Sequence, residues 1–546
     1  MLKFKKSANI VLKLLILTCV ISLTTVTSGA ITVYAEDPWV AKTIQIAPNM
    51  EPVIPHPGQM GETKKKLEAL EKKIGKKPNI LIFLMDDVGW GDLGVYGGGA
   101  MAGAPTPNMD RLAYEGLQLT STYSQPSCSP TRATIMTGRL PVRHGVLHPP
   151  MYGEKGGLEG EITVAEILGK AGYITQAVGK WHMGENEASQ PQNVGFDDFY
   201  GFLSVSDMYT EWRDPYFYPE VVYNKERTEL IKNMPWNRCL VHAKKGSKVE
   251  NLEEITIPVL STLDEKWADY SVNFIKKMAK EKKPFFLYHN TRGGHFDNYP
   301  NEKFKGKSPA KYPYKDVLIE LDDILGRLVK ALEETGQLDN TLIFVTSDNG
   351  PEMESWPDSA YTPFRGAKGS TWEGGVRVPG IAYWRGMIKP GRISDGLFDL
   401  SDLFNTSISL AGAQGQMPKD RYIDGIDQTS FLVADKGESN RKAVYYWFEK
   451  YPSAVRVAEY KGMFLGTDDA PRDVVNPGGF SGHIKFYYMG RLFNLYLDPK
   501  ETHSFFIRKL PMVEQLASIF KQHLFTLKKY PPKVTTESLD ISPRKH

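Results

Sequence analysis

Five consecutive residues combine a nucleophile with the start of a helix: Cys128-Ser129-Pro130-Thr131-Arg132. Ser129 is a favourable N-cap and Pro130 a favourable first helical residue, so we expect a helix to begin here with Cys128 just outside it. The N-terminal end of a helix attracts anions through its unbonded N–H groups and its dipole. Arg132, about one turn further on, can add a charge-assisted hydrogen bond. The stretch therefore predicts a sulfate or phosphate site beside a thiol.

Two other roles for this cysteine follow from the same residues. Cys128 could be half of a disulfide, and in an exported protein Cys239 would be its available partner. It could also be the nucleophile of a thiolate phosphatase. The residues between Cys128 and Arg132 are too few for a loop that wraps a phosphate before the helix begins, which argues against a phosphatase. The residues of this stretch alone do not exclude a disulfide between Cys128 and Cys239.

Two acidic pairs offer oxygen ligands for a metal ion. Asp86-Asp87 follows the apolar run from Asn79 to Met85, and Asp348-Asn349 follows the run from Thr341 to Thr346. Neither pair includes His or Cys, which indicates a hard cation, Ca²⁺ or Mg²⁺, rather than zinc. One Asp-Asp pair alone is more typical of a turn. The second pair after another buried strand makes the metal site the stronger interpretation.

Four further residues could bind an anion or transfer protons. Lys180 and His182 are two apart, so their side chains point the same way in an extended segment. His295 follows two glycines, and Lys368 lies in the Gly-rich stretch 364–369. Each of these, taken singly, is more typical of a surface residue.

The elements that would position these side chains alternate along the chain. Strands are predicted at residues 79–85, 173–178, 285–288 and 341–346, and helices at 107–115, 163–170, 263–280 and 314–334. This alternation predicts an α/β fold with a mostly parallel sheet, whose ligands bind beyond the carboxyl ends of the strands. All four strands carry polar clusters at that end.

Two regions depart from this pattern. Residues 207–251 lack periodicity and are rich in aromatic residues, so we interpret them as an irregular insertion packed on the sheet rather than a substrate-facing loop. After a helix at 401–410 come short strand-like pieces at 443–448, 454–457, 463–465 and 484–488, then a helix near 512–530. They predict a small antiparallel sheet with one helix.

The motif Cys128-x-Pro130-x-Arg132, followed by Met136-Thr137-Gly138-Arg139, resembles the sulfatase family. The resemblance runs from about Asn79 to about Glu501. It implies an alkaline-phosphatase-like α/β catalytic domain with a smaller C-terminal α+β subdomain, and oxidation of Cys128 to formylglycine by a formylglycine-generating enzyme. Thr131 stands where many members carry serine.

The resemblance also implies roles for the residues above. Asp86, Asp87, Asp348, Asn349 and the modified Cys128 correspond to metal ligands, with Ca²⁺ the usual ion and Mg²⁺ possible. Arg132, Lys180, His182, His295 and Lys368 correspond to sulfate-binding and proton-transfer residues.

The mechanism implied by the resemblance uses a hydrated aldehyde at residue 128. One hydroxyl attacks sulfur while Arg132, Lys180 and Lys368 neutralise the oxygens. His295 with Lys368 protonates the leaving alcohol. His182 then takes a proton from the second hydroxyl, which expels sulfate from the ester left on residue 128.

The N-terminal segment of the chain indicates its location, and its net charge indicates which partners to expect. Lys3, Lys5 and Lys6 precede an apolar run from Ile10 to Leu23, which predicts a signal peptide of residues 1–35 and a secreted or periplasmic protein without a membrane span. Cleavage leaves 63 basic and 64 acidic residues, which gives no electrostatic case for nucleic acid. We expect a leader or linker at 36–78, a catalytic domain at 79–415 and a C-terminal subdomain at 416–546.

The hypothesis from sequence is thus an exported, arylsulfatase-like hydrolase of small-molecule or glycan sulfate esters. A phosphodiesterase or phosphonate monoester hydrolase on the same fold is one alternative. A non-catalytic sulfoglycan-binding protein, in which residue 128 stays cysteine, is another.

Overall fold

A computed structural model describes residues 39–150, 156–205, 225, 238–353, 355, 357–467 and 484–533. The signal peptide predicted at 1–35 lies outside the described residues, and so does most of the aromatic segment 207–251.

Strands and helices alternate through most of the chain. The strands are β1 Asn79–Met85, β2 Leu117–Tyr123, β3 Ile174–Lys180, β4 Asp198–Phe202, β5 Cys239–Lys244, β6 Glu250–Glu254, β7 Phe285–Asn290, β8 Thr341–Ser347, β9 Arg377–Tyr383, β10 Arg392–Ser394, β11 Phe398–Asp399, β12 Val444–Phe448, β13 Tyr451–Val457, β14 Tyr460–Thr467 and β15 Ile484–Asn494. The α-helices are α1 Pro57–Ile74, α2 Pro107–Tyr114, α3 Cys128–Thr137, α4 Pro141–His144, α5 Val164–Lys170, α6 Ile257–Leu260, α7 Leu263–Glu281, α8 Pro313–Glu334, α9 Glu373–Val376, α10 Asp402–Leu410, α11 Thr429–Val433 and α12 Leu510–Lys529.

Strand β1 lies in the middle of a large sheet and is buried along its whole length. It pairs in parallel with β7 on one side and with β8 on the other. Its side chains alternate between two hydrophobic cores, with Ile80, Ile82 and Leu84 on one face and Leu81 and Phe83 on the other. A strand that is apolar on both faces requires helices on both sides of the sheet, which explains the continuous apolar run in the sequence.

The large sheet has the order β10-β2-β9-β8-β1-β7-β3-β4-β5-β6, with β11 beside β2. The pairs around β1, β3, β7 and β8 are parallel, which confirms the predicted α/β fold. The sheet is nevertheless mixed, because β9 runs antiparallel between β2 and β8, and β5 and β6 are antiparallel at one edge.

A second, antiparallel sheet has the order β12-β13-β14-β15 and packs against α12. This confirms the small antiparallel sheet and the helix expected after residue 416. The proposed domain boundary between 415 and 416 stays a prediction.

The segment at 36–78, expected to be a leader or linker, contains α1. The Gln59 amide of α1 donates to Ser430 Oγ at 3.0 Å and to Asn440 Oδ1 at 3.0 Å. Lys66 Nζ donates to the Val433 carbonyl oxygen at 2.9 Å. These polar contacts hold α1 against α11. None of the helices in the described ranges is long and apolar enough to cross a membrane.

Helix α3 begins earlier than the sequence suggested. Cys128 is its first residue, and the N-cap is Ser127 rather than Ser129. The first intrahelical bond runs from the Thr131 N–H to the Ser127 carbonyl oxygen at 3.1 Å. Pro130 is tolerated at the third helical position because the first four N–H groups of a helix have no intrahelical acceptor.

Candidate active site

The carboxyl ends of four parallel strands bring the sequence-predicted residues together. Asp86 and Asp87 follow β1, Lys180 ends β3, His295 lies in the loop after β7, and Asp348 follows β8. All are buried. Close packing of the strand ends requires glycine at Gly179, where a Cβ would lie 1.8 Å from the Asn290 carbonyl oxygen, and at Gly294, where it would lie 1.9 Å from the Asp86 carbonyl oxygen.

Three carboxylates form the centre of the site. Asp86, Asp87 and Asp348 each contribute an oxygen, and these atoms all lie within 4.8 Å of one another. Asn349 donates its Nδ2–H to Asp87 Oδ1 at 2.7 Å. Its buried Oδ1 accepts no hydrogen bond from the described part of the chain. An uncommitted amide oxygen beside three carboxylates is the donor set that an oxygen-preferring cation requires.

Arg132 holds these carboxylates in place. Its Nε–H donates to Asp348 Oδ2 at 3.0 Å, and one terminal nitrogen donates to Asp348 Oδ2 at 2.7 Å and Asp86 Oδ1 at 3.2 Å. The other terminal nitrogen donates to the Lys180 carbonyl oxygen at 3.0 Å and to Asn290 Oδ1 at 3.1 Å. All five guanidinium N–H groups therefore have acceptors within the protein.

Two lysines complete the charge balance. Lys180 Nζ donates to both oxygens of Asp86, at 2.9 and 2.7 Å. Lys368 Nζ donates to Asp87 Oδ2 at 2.7 Å. Burial disfavours the charged ammonium of Lys368, but the neighbouring Asp87 outweighs it and holds the pKa of Lys368 well above its usual value. Lys368 is therefore a cation, and the ammonium groups of both lysines contact the central carboxylates.

Cys128 lies at the start of α3 and faces His182. Its Sγ is 3.3 Å from His182 Nδ1 and 3.9 Å from Ser127 Oγ. Burial raises the pKa of the Cys128 thiol, although Lys180 and Lys368 act in the opposite direction. A thiol that stays protonated is a poor nucleophile. Cys128 and Cys239 are not disulfide-bonded, as expected if residue 128 is to be modified.

His182 is held as a neutral imidazole. Burial, with Lys180 and Arg132 nearby, puts the pKa of His182 well below its usual value. Its Nε2 is buried without a hydrogen-bond partner among the described residues. Its Nδ1 faces residue 128, so it can accept a proton there.

His295 lies close to one of the carboxylates, Asp87. Its Nε2 is 3.7 Å from Asp87 Oδ2, and its Nδ1 bonds to the Phe296 carbonyl oxygen at 2.6 Å. Burial, then Lys368, lowers the pKa of His295 to about 3. His295 and Lys368 thus share one carboxylate, Asp87.

The pKa values of Asp86 and Asp348 are shifted in opposite directions. Burial favours the protonated form of Asp86, but Lys180 and Arg132 hold the pKa of Asp86 well below its ordinary value. Burial and the neighbouring Asp86 raise the pKa of Asp348 to about 7. Asp86 and Asp348 oppose each other's ionisation, and the Arg132 guanidinium that bonds to both carboxylates offsets part of this repulsion.

Two residues of the site were not predicted from the sequence. Asn290, the last residue of β7, accepts from Arg132. Glu352, three residues after Asn349, has its Oε2 3.7 Å from Lys368 Nζ. Asn290 could have been found because it is a polar residue at the carboxyl end of a buried strand. Glu352 gave no signal, because it lies in a loop.

Comparison with known proteins decides the family. The sulfatase family model matches residues 78–413. The chain belongs to the sulfatase family. A second model, that of the AslA sulfatase C-terminal domain, matches residues 453–528.

Individual sulfatases are similar over most of their length. The N-acetylgalactosamine-6-sulfatase of Canis lupus familiaris is 32% identical over 478 residues, which is 82% of this chain and 86% of that protein. The human arylsulfatase A is 33% identical over 447 residues, covering 79% and 84% of the two chains. The crystal structure of the PsFucS1 sulfatase from Pseudoalteromonas sp. is 46% identical, with a TM-score of 0.84 over 90% of this chain and 98% of that one.

The chain is thus a sulfuric ester hydrolase with the alkaline-phosphatase-like fold of the sulfatases. Members of this family generally use a metal ion and formylglycine, and this chain has an Asp-rich site of the kind that could hold a metal ion.

Proposed function

We propose that this sulfatase is an exported enzyme that cleaves sulfate esters at residue 128 after Cys128 has been oxidised to formylglycine. The observation that carries the proposal is the position of Cys128. It lies at the N-terminus of α3, with its Sγ 3.3 Å from His182 Nδ1 and within the field of Lys180 and Lys368. A buried, protonated thiol is unsuited to the reaction itself, which supports its conversion to another group.

The residues present fit a divalent cation. Asp86, Asp87, Asp348 and Asn349 would hold it, together with the modified side chain of residue 128. Ca²⁺ is the proposed ion, with Mg²⁺ the alternative. When bound, such a cation polarises oxygens and neutralises developing negative charge. Formylglycine, when hydrated, supplies two hydroxyls on one carbon, of which one can attack sulfur and the other can release sulfate by carbon–oxygen cleavage.

Different residues near position 128 carry out the two proton transfers. His182 is neutral and faces residue 128. It accepts the proton of the second hydroxyl, and this deprotonation expels sulfate. Lys368 and His295, which meet at Asp87, lie where a proton can be delivered to the leaving alcohol. Lys368 carries that proton, because the low pKa of His295 keeps its ring neutral.

The three cationic residues have different proposed roles. Lys180 and Lys368 attract the sulfate oxygens. Arg132, whose N–H groups are all bonded to the protein, orients Asp86 and Asp348 instead of contacting sulfate directly. This departs from the sulfate-binding role implied for Arg132 by the family resemblance.

The substrate is proposed to be a sulfated sugar or a small aryl sulfate. Among the similar proteins, one is named for a 6-sulfated N-acetylgalactosamine and another for aryl sulfates. The predicted signal peptide supports export, and conversion of Cys128 requires a formylglycine-generating enzyme as a maturation partner.

The test combines mass spectrometry with an assay. The peptide that holds residue 128 should have the mass of formylglycine, and the purified enzyme should release sulfate from an aryl sulfate. An unmodified cysteine with no sulfate release would favour the non-catalytic sulfoglycan-binding alternative. Faster cleavage of an aryl phosphonate ester than of the matched aryl sulfate would favour the phosphonate monoester hydrolase or phosphodiesterase alternative.

A further inference from the structure

Three side chains that can bind a metal ion meet outside the candidate active site. Glu51 lies in the segment before α1, Asp424 lies between α10 and α11, and His523 lies on α12. One oxygen of each carboxylate and one ring nitrogen of His523 all lie within 4.8 Å of one another. We call these three residues the second cluster. It shares no residue with the acidic site at the strand ends.

Backbone pairing and a buried arginine position the second cluster. The Glu51 N–H donates to the Ile423 carbonyl oxygen at 3.0 Å, which places Glu51 beside Asp424. Arg143 donates through Nε to Asp424 Oδ1 at 2.8 Å and through a terminal nitrogen to Thr526 Oγ1 of α12 at 2.6 Å. The same arginine thus bonds to Asp424 and to the helix that carries the histidine. The second cluster therefore joins three parts of the chain that are far apart in sequence.

The imidazole of His523 is the feature that indicates a ligand. It is 2% exposed, and neither ring nitrogen has a hydrogen-bond partner among the described residues. The ring stacks on Tyr445 with a centroid distance of 3.9 Å and packs beside Phe520. Burial, then two nearby arginines, puts the pKa of His523 well below its usual value, so the imidazole is neutral, as in a metal ligand. A buried nitrogen without a partner is unfavourable, and a cation bound among the three side chains would remove this cost.

Both carboxylates keep lone pairs for such a cation. Asp424 accepts from Arg143 through Oδ1 and from the Leu140 N–H through Oδ2, at 2.8 and 2.9 Å. Glu51 Oε2 accepts from the Tyr422 hydroxyl at 2.8 Å. An ionised carboxylate has about four lone-pair positions, so these bonds orient the oxygens without using all of them.

The charges around the second cluster also favour a cation. Arg143 pairs with Asp424 at 2.8 Å, and Arg441 forms an ion pair with Asp402. The carboxylates of Glu51, Asp424 and Asp402 thus outnumber the two guanidiniums. Glu51 is bonded to a neutral hydroxyl, so its negative charge is the one that a bound cation would neutralise.

An ion can reach the second cluster from solvent through Glu51. This residue is half-buried and forms part of the wall of a cleft of about 90 Å³, together with Arg441, Tyr445 and the exposed Gln522. A water molecule takes up about 30 Å³ of liquid volume, so the cleft has room for two or three water molecules. Water could therefore complete the coordination of an ion held by three side chains.

The types of donor atom indicate the ion. Calcium and magnesium prefer oxygen ligands alone, whereas an imidazole nitrogen with carboxylate oxygens is typical of zinc. We propose that Glu51, Asp424 and His523 bind Zn²⁺, and that this ion links the segment before α1 to helix α12. This zinc site is separate from the cation proposed at the candidate active site. The proposal goes beyond the sulfatase function and does not depend on it.

The test measures zinc binding to the whole mature enzyme. The protein is dialysed at about pH 8 against Zn²⁺ with Ca²⁺ in excess, so that calcium competes for the acidic site at the strand ends. Burial, then Asp424, raises the pKa of Glu51 to about 7, so Glu51 is mostly ionised at this pH. We expect one tightly bound zinc per wild-type chain by elemental mass spectrometry, and a thermal unfolding midpoint that rises when zinc is added.

His523→Phe removes both ring nitrogens and keeps a ring that can stack on Tyr445. It should lose the bound zinc and the zinc-dependent rise of the midpoint. Without zinc its midpoint should be no lower than that of the wild type, because no hydrogen bond of the ring to the described residues is lost. His503→Gln, which replaces an exposed histidine shortly before α12, is the matched control and should bind zinc as the wild type does.

Glu51→Gln tests the same site without altering the packing of the histidine ring. It keeps an acceptor for Tyr422 but removes the negative charge, so the Kd for zinc should rise by at least about tenfold. Glu514→Gln, on the exposed surface of α12, is its control and should leave the Kd unchanged.

Three results would overturn the proposal. The first is a wild-type enzyme that binds no zinc under these conditions. The second is zinc bound with wild-type affinity by either His523→Phe or Glu51→Gln. The third is a bound zinc that is lost in Asp87→Asn but kept in His523→Phe, which would place it at the candidate active site. Failure of the enzyme on every sulfate ester would overturn the proposed function alone, because zinc content and unfolding midpoint do not depend on hydrolysis.

Discussion

At the scale of single residues, the contacts of Arg132 indicate that it positions the carboxylates of the site and does not bind the substrate. Its guanidinium bonds to Asp86 and Asp348 from one side and to Asn290 and the Lys180 backbone from the other. Lysine has a single ammonium without the planar fork of arginine and cannot replace this set. The geometry of the carboxylates thus depends on one side chain.

We therefore predict that Arg132→Lys loses metal affinity by about 10- to 100-fold, the range typical for groups that orient metal ligands. Activity at limiting Ca²⁺ should fall with it. The measurement is a calcium titration followed by both activity and thermal unfolding. A raised KM for substrate with unchanged calcium dependence would show that Arg132 contacts sulfate instead.

A second prediction at this scale concerns Cys128→Ser. Hydrated formylglycine has two hydroxyls on one carbon, and serine has one. The serine variant can accept a sulfuryl group but has no second hydroxyl whose deprotonation by His182 would release it. We expect at most one turnover, a stoichiometric burst of alcohol, and a sulfated serine at position 128 by mass spectrometry.

Sustained turnover of Cys128→Ser near the parent rate would contradict this. A plain hydroxyl or thiol nucleophile with hydrolysis by water would then replace the formylglycine mechanism.

At the scale of elements, helix α8 supports the loop that carries His295. Glu320 of α8 accepts from the Asn301 N–H at 2.9 Å, and Asp264 of α7 accepts from the Arg292 and Gly293 N–H groups at 2.9 Å each. Burial, then the neighbouring Asp264, raises the pKa of Glu320 from 4.5 to about 9. The folded protein thus keeps Glu320 protonated at neutral pH.

This shift predicts a loss of stability as pH rises. Between about pH 4.5 and 9, Glu320 is protonated in the folded state and ionised in the unfolded state. The contribution of this proton to the free energy of unfolding is therefore complete below about pH 4.5 and is lost as the pH rises to about 9. Glu320→Gln keeps the acceptor for Asn301 and should flatten the decline of the unfolding midpoint from pH 6 to 9. Glu334→Gln, at the exposed end of α8, should leave the decline unchanged. A parallel decline in both variants would contradict the prediction.

A buried ionic network joins the two sheets. Glu373 accepts from Tyr123 of β2 at 2.7 Å, from Tyr446 of β12 at 3.0 Å and from Lys461 of β14 at 3.1 Å. Lys461 also pairs with Glu501 at 2.8 Å. Burial opposes ionisation of Glu373, but Lys461 and the neighbouring Arg456 hold its pKa at about 2. One carboxylate thus connects elements far apart in the chain.

Glu373→Gln should destabilise the protein by about 3 to 5 kcal/mol, because it leaves Lys461 and its neighbours buried with less compensation. Equilibrium denaturation in urea measures the loss. The control variant Glu459→Gln, in the half-buried turn between β13 and β14, should stay within about 0.5 kcal/mol of wild type. Equal stability of the two variants would show that the network is dispensable.

At the scale of the whole molecule, the residues that could be predicted are those at the ends of strongly apolar strands. The strand predicted at 79–85 is β1, and the other three predicted strands overlap β3, β7 and β8 within a few residues. Because parallel strands end at one edge of a sheet, these four predictions already placed the acidic, basic and imidazole side chains together.

Other parts of the fold had no such signal. Strand β2, Leu-Gln-Leu-Thr-Ser-Thr-Tyr, is almost entirely buried although more than half of its residues are polar, and β9 contains Pro379. Proline and polar residues argue against central strands, and only their neighbours in the sheet offset this. The start of α3 was misplaced for a related reason: Ser127 and Ser129 are equally good caps by type, and tertiary packing selects between them.

The whole molecule also determines what removal of the cation should do. Each of the three central carboxylates already has a cationic partner: Asp86 with Lys180, Asp87 with Lys368, and Asp348 with Arg132. The site without the ion is therefore not a cluster of uncompensated charge, and we expect the protein to remain folded. Binding should still stabilise it by mass action, by about 4 kcal/mol when the ion is at a thousandfold excess over its Kd.

We predict that a chelator abolishes activity and lowers the unfolding midpoint without unfolding the enzyme at 25 °C, and that Ca²⁺ restores both. Asn349→Ala, which removes the uncommitted amide oxygen, should need more Ca²⁺ for the same recovery of the midpoint. Chelator presaturated with Ca²⁺ is the control. If the chelator changed neither activity nor midpoint, the acidic cluster would be a structural network whose charges are neutralised by Lys180, Lys368 and Arg132. Lys180 and Lys368 alone would then neutralise the charge of the substrate.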